Sequence, residues 1–222
     1  EIGSGLVGSE MCIRDRIITH YDKDHIGGAP TLLKKYKVSK LLEPDYTPVD
    51  TTAYAYMSYR NALTEAEANG KCGNTEAVSD SVDLTVSDIK LNIAGTFGKD
   101  YAKNQDNNDS LVVSLEHLGN SFLFAGDIEK QRIADMLSQG RVQPCDFLKV
   151  PHHGSTTSSS LGFLEAVSPE YAIISVGKGN SYGHPDYDTI QKLKQVNAEI
   201  YRTDELGTIN IVFSADDIKI TY

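Results

Sequence analysis

Thr19-His20-Tyr21-Asp22-Lys23-Asp24-His25-Ile26-Gly27-Gly28 places two imidazoles and two carboxylates within six residues. The apolar run Ile17–Thr19 before it predicts a strand, and Gly27–Lys37 after it reads as a helix. A loop at the end of a strand can aim several side chains at one centre. Imidazole nitrogen and carboxylate oxygen both ligate Zn²⁺, Mn²⁺ and related ions, and four donors in one turn exceed what a single tetrahedral ion takes from one segment. The pattern therefore points to two ions. A solvated polar loop is the plain alternative, but isolated His or Asp is common in loops and this density is not. Gly27 and Gly28 let the following helix start close to the loop.

Three later stretches repeat the theme of an apolar strand opening into a polar loop: Phe122-Leu123-Phe124-Ala125-Gly126-Asp127, Leu148-Lys149-Val150-Pro151-His152-His153-Gly154-Ser155, and Ser175-Val176-Gly177 through Asn180-Ser181-Tyr182-Gly183-His184-Pro185. Five of the six histidines fall in such loops; His117, within a hairpin, reads as an exposed strand residue. Each has a bland counterpart. Asp127 could simply cap the helix beginning at Ile128. His184 could be a loop histidine before a helix-starting proline. Asp109 and Ser110 in Asn107-Asn108-Asp109-Ser110-Leu111-Val112-Val113 could be turn formers before a strand.

On either side of these motifs, short β-rich runs alternate with helical stretches, the pattern of an α/β layered domain. Strands are expected at Lys40–Leu42, Val82–Val86, Ile89–Ala94, Ser110–Leu118, Ser121–Ala125, Asp146–Val150, Tyr171–Val176, Glu199–Arg202, Thr208–Phe213 and Ile218–Tyr222. Helices are expected at Val49–Asn69, Glu129–Ser138, Leu161–Val167 and Asp188–Asn197. Gly119-Asn120 marks a hairpin turn. Tyr54, Tyr56 and Tyr59 read as amphipathic packing rather than a base-stacking surface. The Gly/Asn/Asp-rich loop Thr96–Asn108 is the best candidate for a site-bordering segment. No internal repeat and no boundary that would split the chain is visible.

The first motif resembles the metallo-β-lactamase family, whose signature is His-x-His-x-Asp-His at the end of a strand. Asp22 stands where the second His is usual, and the resulting His-x-Asp-x-Asp-His resembles the competence-associated, ComEC-like branch; the similarity runs from Ile17 to about Gly207. The resemblance implies a four-layer αββα sandwich whose first strands precede the His motif and so are absent here. It implies a two-metal hydrolase with His20, Asp22, Asp24, His25, Asp127 and His184 as ligands, joined by one of the pair His152 and His153, with His153 preferred. By the same resemblance Asp127 bridges the ions, Asp24 holds the attacking water, and the other histidine of the pair, His152 on that preference, donates a catalytic hydrogen bond to the substrate; the sequence leaves open which of the two does which. Asp109, Ser110 and Ser155 fall where substrate-contacting or supporting residues are expected. Carboxylate in place of imidazole tilts the metal toward Mn²⁺ or Mg²⁺, with Zn²⁺ still a candidate. The implied substrate is a phosphodiester, single-stranded DNA first.

Composition bounds these readings. The chain has 222 residues, 40% hydrophobic and 23% charged, with net charge −10. It can therefore bury a core without a structural metal, so any metal present serves chemistry. Residues 1–16, EIGSGLVGSEMCIRDR, resemble a translated sequencing adapter, which leaves 17–222 as the hydrolase domain and predicts that 1–16 pack poorly. Setting them aside leaves 28 acidic and 19 basic residues, and Cys72 and Cys145 as the remaining cysteines, too few for a disulfide framework. The acidic balance argues against broad duplex binding. The lysine cluster Lys34, Lys35, Lys37 and Lys40 reads as a solvated helix face at least as well as a nucleic-acid track. No run approaches 18 apolar residues, so no transmembrane segment is expected. Two rival functions stay open: a small-molecule ester, lactone or phosphoester hydrolase of the same fold, and a non-catalytic metal-binding regulatory module.

Overall fold

The computed structural model describes residues 12–99, 101, 106–213 and 217–222. The chain divides into two compact units, 1–79 and 80–222. The sequence carries no sign of this division because only Ser79 and Asp80 separate the two flanking strands, too short a stretch to read as a linker.

The first unit is a three-stranded parallel sheet in the order β1 (Cys12–Ile17), β2 (Lys37–Pro44), β3 (Cys72–Val78). The short helix α1 (Lys23–Ile26) and α2 (Ala29–Lys35) join β1 to β2, and α3 (Tyr54–Ala68) joins β2 to β3. Tyr59, Ala62, Leu63 and Ala66 of α3 are buried, the i, i+3, i+4, i+7 spacing of one helix face. They pack with Ile18, Ile26, Leu33, Val38 and Leu41 in one apolar cluster. Strand β3 escapes sequence reading because Gly73 and Asn74 are poor strand formers. A Cβ on Gly73 would lie 2.4 Å from the Ser39 carbonyl oxygen, so close backbone approach explains the glycine. Strand β1 pairs with β2 from Cys12↔Lys37 to Ile17↔Leu42. The expectation of poor packing for 1–16 is thus not met at Cys12–Arg16; residues 1–11 lie outside the described residues. Edge pairing uses backbone groups alone, which any extended segment supplies.

The second unit is a seven-stranded sheet in which β4 (Ser81–Val86), β5 (Ile89–Ala94), β6 (Val112–His117) and β7 (Asn120–Phe124) form an antiparallel meander. Strands β8 (Phe147–Lys149), β9 (Tyr171–Ile174) and β10 (Glu199–Arg202) continue from β7 in parallel. Parallel strands need crossovers, here α4 (Lys130–Ser138), α5 (Leu161–Val167) and α6 (Tyr187–Gln195). Ile133, Met136, Phe163, Leu164 and Leu193 of these helices pack with Leu123, Leu148, Ala172 and Ile174 of the sheet. On the alternate strand positions, Phe122, Phe147 and Tyr171 stack at 4.7 and 4.6 Å, with Phe213 edge-on to Phe122 at 4.8 Å. The chain closes with α7 (Thr203–Leu206) and the antiparallel pair β11 (Asn210–Phe213) and β12 (Ile218–Thr221). Of the loop Thr96–Asn108, residues 100 and 102–105 lie outside the described residues. Among the described residues no helix is long and apolar enough to cross a membrane.

Candidate metal centre

Topology gathers the predicted residues into two sets, one per unit. In the first unit the chain leaves β1, passes Ile18, and enters the His20–His25 motif. The motif is not wholly a loop: Asp22 starts α1, its carbonyl accepting from the His25 and Ile26 amides at 2.9 and 3.0 Å. The Asp22 carboxylate makes no capping bond to that helix. One turn of helix sets His25 against His20, with ring centroids 4.0 Å apart, and brings His25 Nε2 to 3.3 Å from Asp24 Oδ2. His20 is fully buried, with Nδ1 3.2 Å from the Thr19 hydroxyl.

In the second unit, register supplies the order. Phe124, Lys149 and Ile173 lie side by side across β7, β8 and β9. The loops carrying Asp127, His152, His153 and His184 therefore leave one carboxyl edge of the sheet, where open α/β sheets bind ligands. Asp127 is buried, and its amide donates to Ser110 Oγ at 3.2 Å. Ser110 thus supports Asp127 from behind. Asn108, missed from sequence, is buried and accepts from the Glu129 and Arg132 amides at 2.9 and 3.3 Å, anchoring the start of α4. Asp109 ends the 3₁₀ turn Asp106–Asp109.

Pro151–Gly154 is a tight turn in which His152 and His153 both adopt left-handed backbone, with φ of 47° and 53°. Two non-glycine residues in that region cost on the order of 1 kcal/mol each, and such strain concentrates at functional sites. The turn sends the two rings to different partners. His153 Nδ1 donates to the Ser175 carbonyl at 2.7 Å, which directs Nε2 toward Asp127 Oδ2, 3.3 Å away. His152 Nδ1 lies 3.1 Å from Glu129 Oε1 and 3.4 Å from Ser158 Oγ. Ser155 is buried and turned toward Thr157, at 3.0 Å, so it shapes the turn behind His152.

His184 sits 5.8 Å from His152 between ring centroids, with Nδ1 3.5 Å from Asp186 Oδ2. Burial lowers its basicity most; Asp186 opposes this, while His152 and His153 lower it further, and the net shift is downward. A neutral imidazole is the form that ligates a metal. Glu129 and Asp186 escaped sequence reading. The available signal was position: each is a carboxylate two residues beyond a predicted ligand, Asp127 and His184 respectively. Carboxylates and carbonyls behind imidazoles are the usual means of fixing which ring nitrogen faces a cation. The donor set of imidazole nitrogen and carboxylate oxygen, with His153 oriented by Ser175 and His184 made less basic by burial, fits divalent cations.

The chain belongs to the metallo-beta-lactamase superfamily, whose family model matches residues 13–178. Its fold and donor set are those of a metal-dependent hydrolase. Within that class the chain is of the ComEC-like kind. It is 35% identical over 196 residues to ComE operon protein 3 of Bacillus subtilis, covering 87% of this chain and 24% of that protein. It is 28% identical over 204 residues to Recombination protein 2 of Haemophilus influenzae, covering 92% of this chain and 23% of the relative. The chain thus spans about a quarter of the length of these relatives. Among solved structures it resembles CmlA, a diiron beta-hydroxylase from Streptomyces venezuelae, with TM-score 0.55 and 13% identity, covering 85% of this chain and 43% of CmlA. That likeness concerns the fold alone.

Proposed function

We propose that the chain hydrolyses phosphodiesters, single-stranded DNA before duplex, with two divalent ions held by His20, Asp22, Asp24, His25, Asp127, His153 and His184. On this reading His20 and Asp22 would mainly serve one ion and Asp24, His25 and His184 the other, with Asp127 serving both. Asp22 in place of an imidazole makes the donor set oxygen-rich and favours Mn²⁺ over Zn²⁺. When bound, two such ions lower the pKa of water and neutralise charge developing on the attacked group.

The observation that carries the reading is the division of labour between adjacent imidazoles. His153 is backed by a neutral carbonyl and turns Nε2 toward Asp127, the nitrogen with which it would ligate an ion. His152 is backed by the Glu129 carboxylate, which orients the ring and offers a countercharge to its protonated form. That arrangement suits donating a hydrogen bond to a phosphoryl oxygen or a proton to the leaving oxygen. Asp24 positions the attacking water and accepts its proton. The likeness to proteins named for competence and recombination supports nucleic acid as the substrate.

A second reading, hydrolysis of a small ester, lactone or phosphoester, is favoured by the net charge of −10, which offers little to recruit a polyanion. The test incubates metal-stripped protein with single-stranded DNA, duplex DNA, bis(p-nitrophenyl) phosphate and a lactone, each with Mn²⁺, Mg²⁺ or Zn²⁺. Cleavage of single-stranded DNA and the diester, fastest with Mn²⁺, is expected. Lactone turnover without phosphodiester cleavage would establish the second reading. No turnover despite two bound ions would make the chain a binding module.

A further inference from the structure

Tyr182 and Tyr187 are the two aromatic side chains of the second unit most exposed to solvent among the described residues, at 82% and 79%. They flank the His184-Pro185 segment, Tyr182 two residues before His184 and Tyr187 at the start of α6. Neither ring contributes to the core. The Tyr182 ring lies nearly parallel to the His184 imidazole, tilted 13° with centroids 6.0 Å apart, and stays largely open to solvent beside the predicted ligand.

The backbone around Tyr182 is pinned. Asn180 Nδ2 donates to the Gly177 and His184 carbonyls at 3.1 and 2.7 Å, and Asn180 Oδ1 accepts from the His184 amide at 3.1 Å. The approach to Tyr187 is held by Asp186, whose carboxylate accepts from the Thr156 amide at 2.8 Å. Lys178, exposed in the same loop, supplies a cation. Open aromatic rings on an ordered backbone, with a cation four residues before Tyr182 in the same loop, are elements that single-stranded nucleic acid sites use: bases stack on rings regardless of identity, and a cation meets phosphate. Stiff duplex keeps its bases stacked internally and cannot use them.

We propose that Tyr182 and Tyr187 are base-stacking residues that select unpaired nucleic acid at the edge of the His184 site. The inference rests on the single-stranded DNA reading above and adds the residues that would enforce it.

The experiment measures binding of the full chain to a phosphorothioate-linked single-stranded octamer, with and without Mn²⁺, at low ionic strength. One strand carries 2-aminopurine, which loses fluorescence on stacking; another carries abasic sites at the same positions. The parent chain should quench the 2-aminopurine signal and bind the abasic strand about tenfold more weakly. Tyr182→Ala and Tyr187→Ala should each lose part of the quench, and the double variant should bind both strands alike. Tyr182→Phe should keep the parent's quench, since the ring and not the hydroxyl stacks. Equal affinity of the parent for both strands, absence of binding, or full quenching by the double variant would each overturn the proposal. Failure of the nuclease reading is separately visible: base-dependent binding with no diester cleaved in any metal would leave the stacking residues standing and remove the reaction.

Discussion

Replacing Gly154 by alanine should loosen the second unit's set of predicted ligands by a predictable amount. Gly154 closes the Pro151–Gly154 turn at φ +85°, and a Cβ there would sit 2.6 Å from Pro185 Cβ and 3.2 Å from Pro185 Cα. Its carbonyl also accepts from the Asp186 amide at 3.1 Å, so the turn bearing His153 and the segment bearing His184 meet at this residue. Alanine carries a backbone cost of roughly 1–2 kcal/mol for positive φ, and forcing a methyl into packed surroundings adds about 1–3 kcal/mol. Gly179 supplies the internal control, with φ +68° and nothing within 4 Å of the place a methyl would occupy. Gly179→Ala should therefore cost only the backbone part. Urea unfolding of both variants gives the difference, expected at about 1–3 kcal/mol. Competition for Mn²⁺ should show weaker binding by Gly154→Ala than by Gly179→Ala. Equal destabilisation by the two alanines would refute the tight apposition of the His153 turn and the His184 segment.

Four further outcomes are expected. Asp24→Ala or Asp127→Ala should abolish phosphodiester turnover in a steady-state assay while the circular dichroism spectrum stays that of the parent; retained turnover would remove the residue from the site. Asp22→His should shift the metal giving fastest turnover toward Zn²⁺ without eliminating activity, and an unchanged Mn²⁺ preference would count against its role as ligand. Glu129→Gln should lower kcat about 10- to 100-fold by releasing His152, and parent-like kcat would show that the pair is structural only. The Lys99 ammonium beside Asp135 holds that carboxyl below its usual range, against a smaller opposing effect of burial. A depressed folded-state pKa contributes stability that is present above the unfolded value, near 3.9, and is lost as pH falls through the folded value. Asp135→Asn should thus cost about 0.5 kcal/mol at pH 7 and little at pH 2–3 in urea melts; an equal loss at both would break the linkage.

Most strands and helices were legible in the sequence because each carried its own periodicity. The helix expected at Val49–Asn69 is α3 at Tyr54–Ala68, and that at Glu129–Ser138 is α4 at Lys130–Ser138. The hairpin read at Gly119-Asn120 turns at Leu118 and Gly119, both with positive φ. Strand β3 was invisible because its glycine answers to Ser39, 34 positions earlier in the chain, and not to any local pattern. Tyr54, grouped with Tyr56 and Tyr59 as packing, is 87% exposed, since helix α3 turns that position away from the face that Tyr59 buries.

Which side chains carry metal-donor chemistry was readable from the chain alone, because that chemistry is a property of the side chain and its density in a short motif needs no partner to be seen. Placement of those motifs at strand ends was equally legible, since strand and loop are local. What each imidazole does depends instead on contacts made across the fold. His152 and His153 are neighbours with the same chemistry, and no local rule tells them apart. The Ser175 carbonyl, 22 residues on, and the Glu129 carboxylate, 23 residues back, each engage one Nδ1 and so orient each Nε2. A ring nitrogen's role is set by what the other nitrogen bonds, and that partner is delivered by the parallel register of β7, β8 and β9.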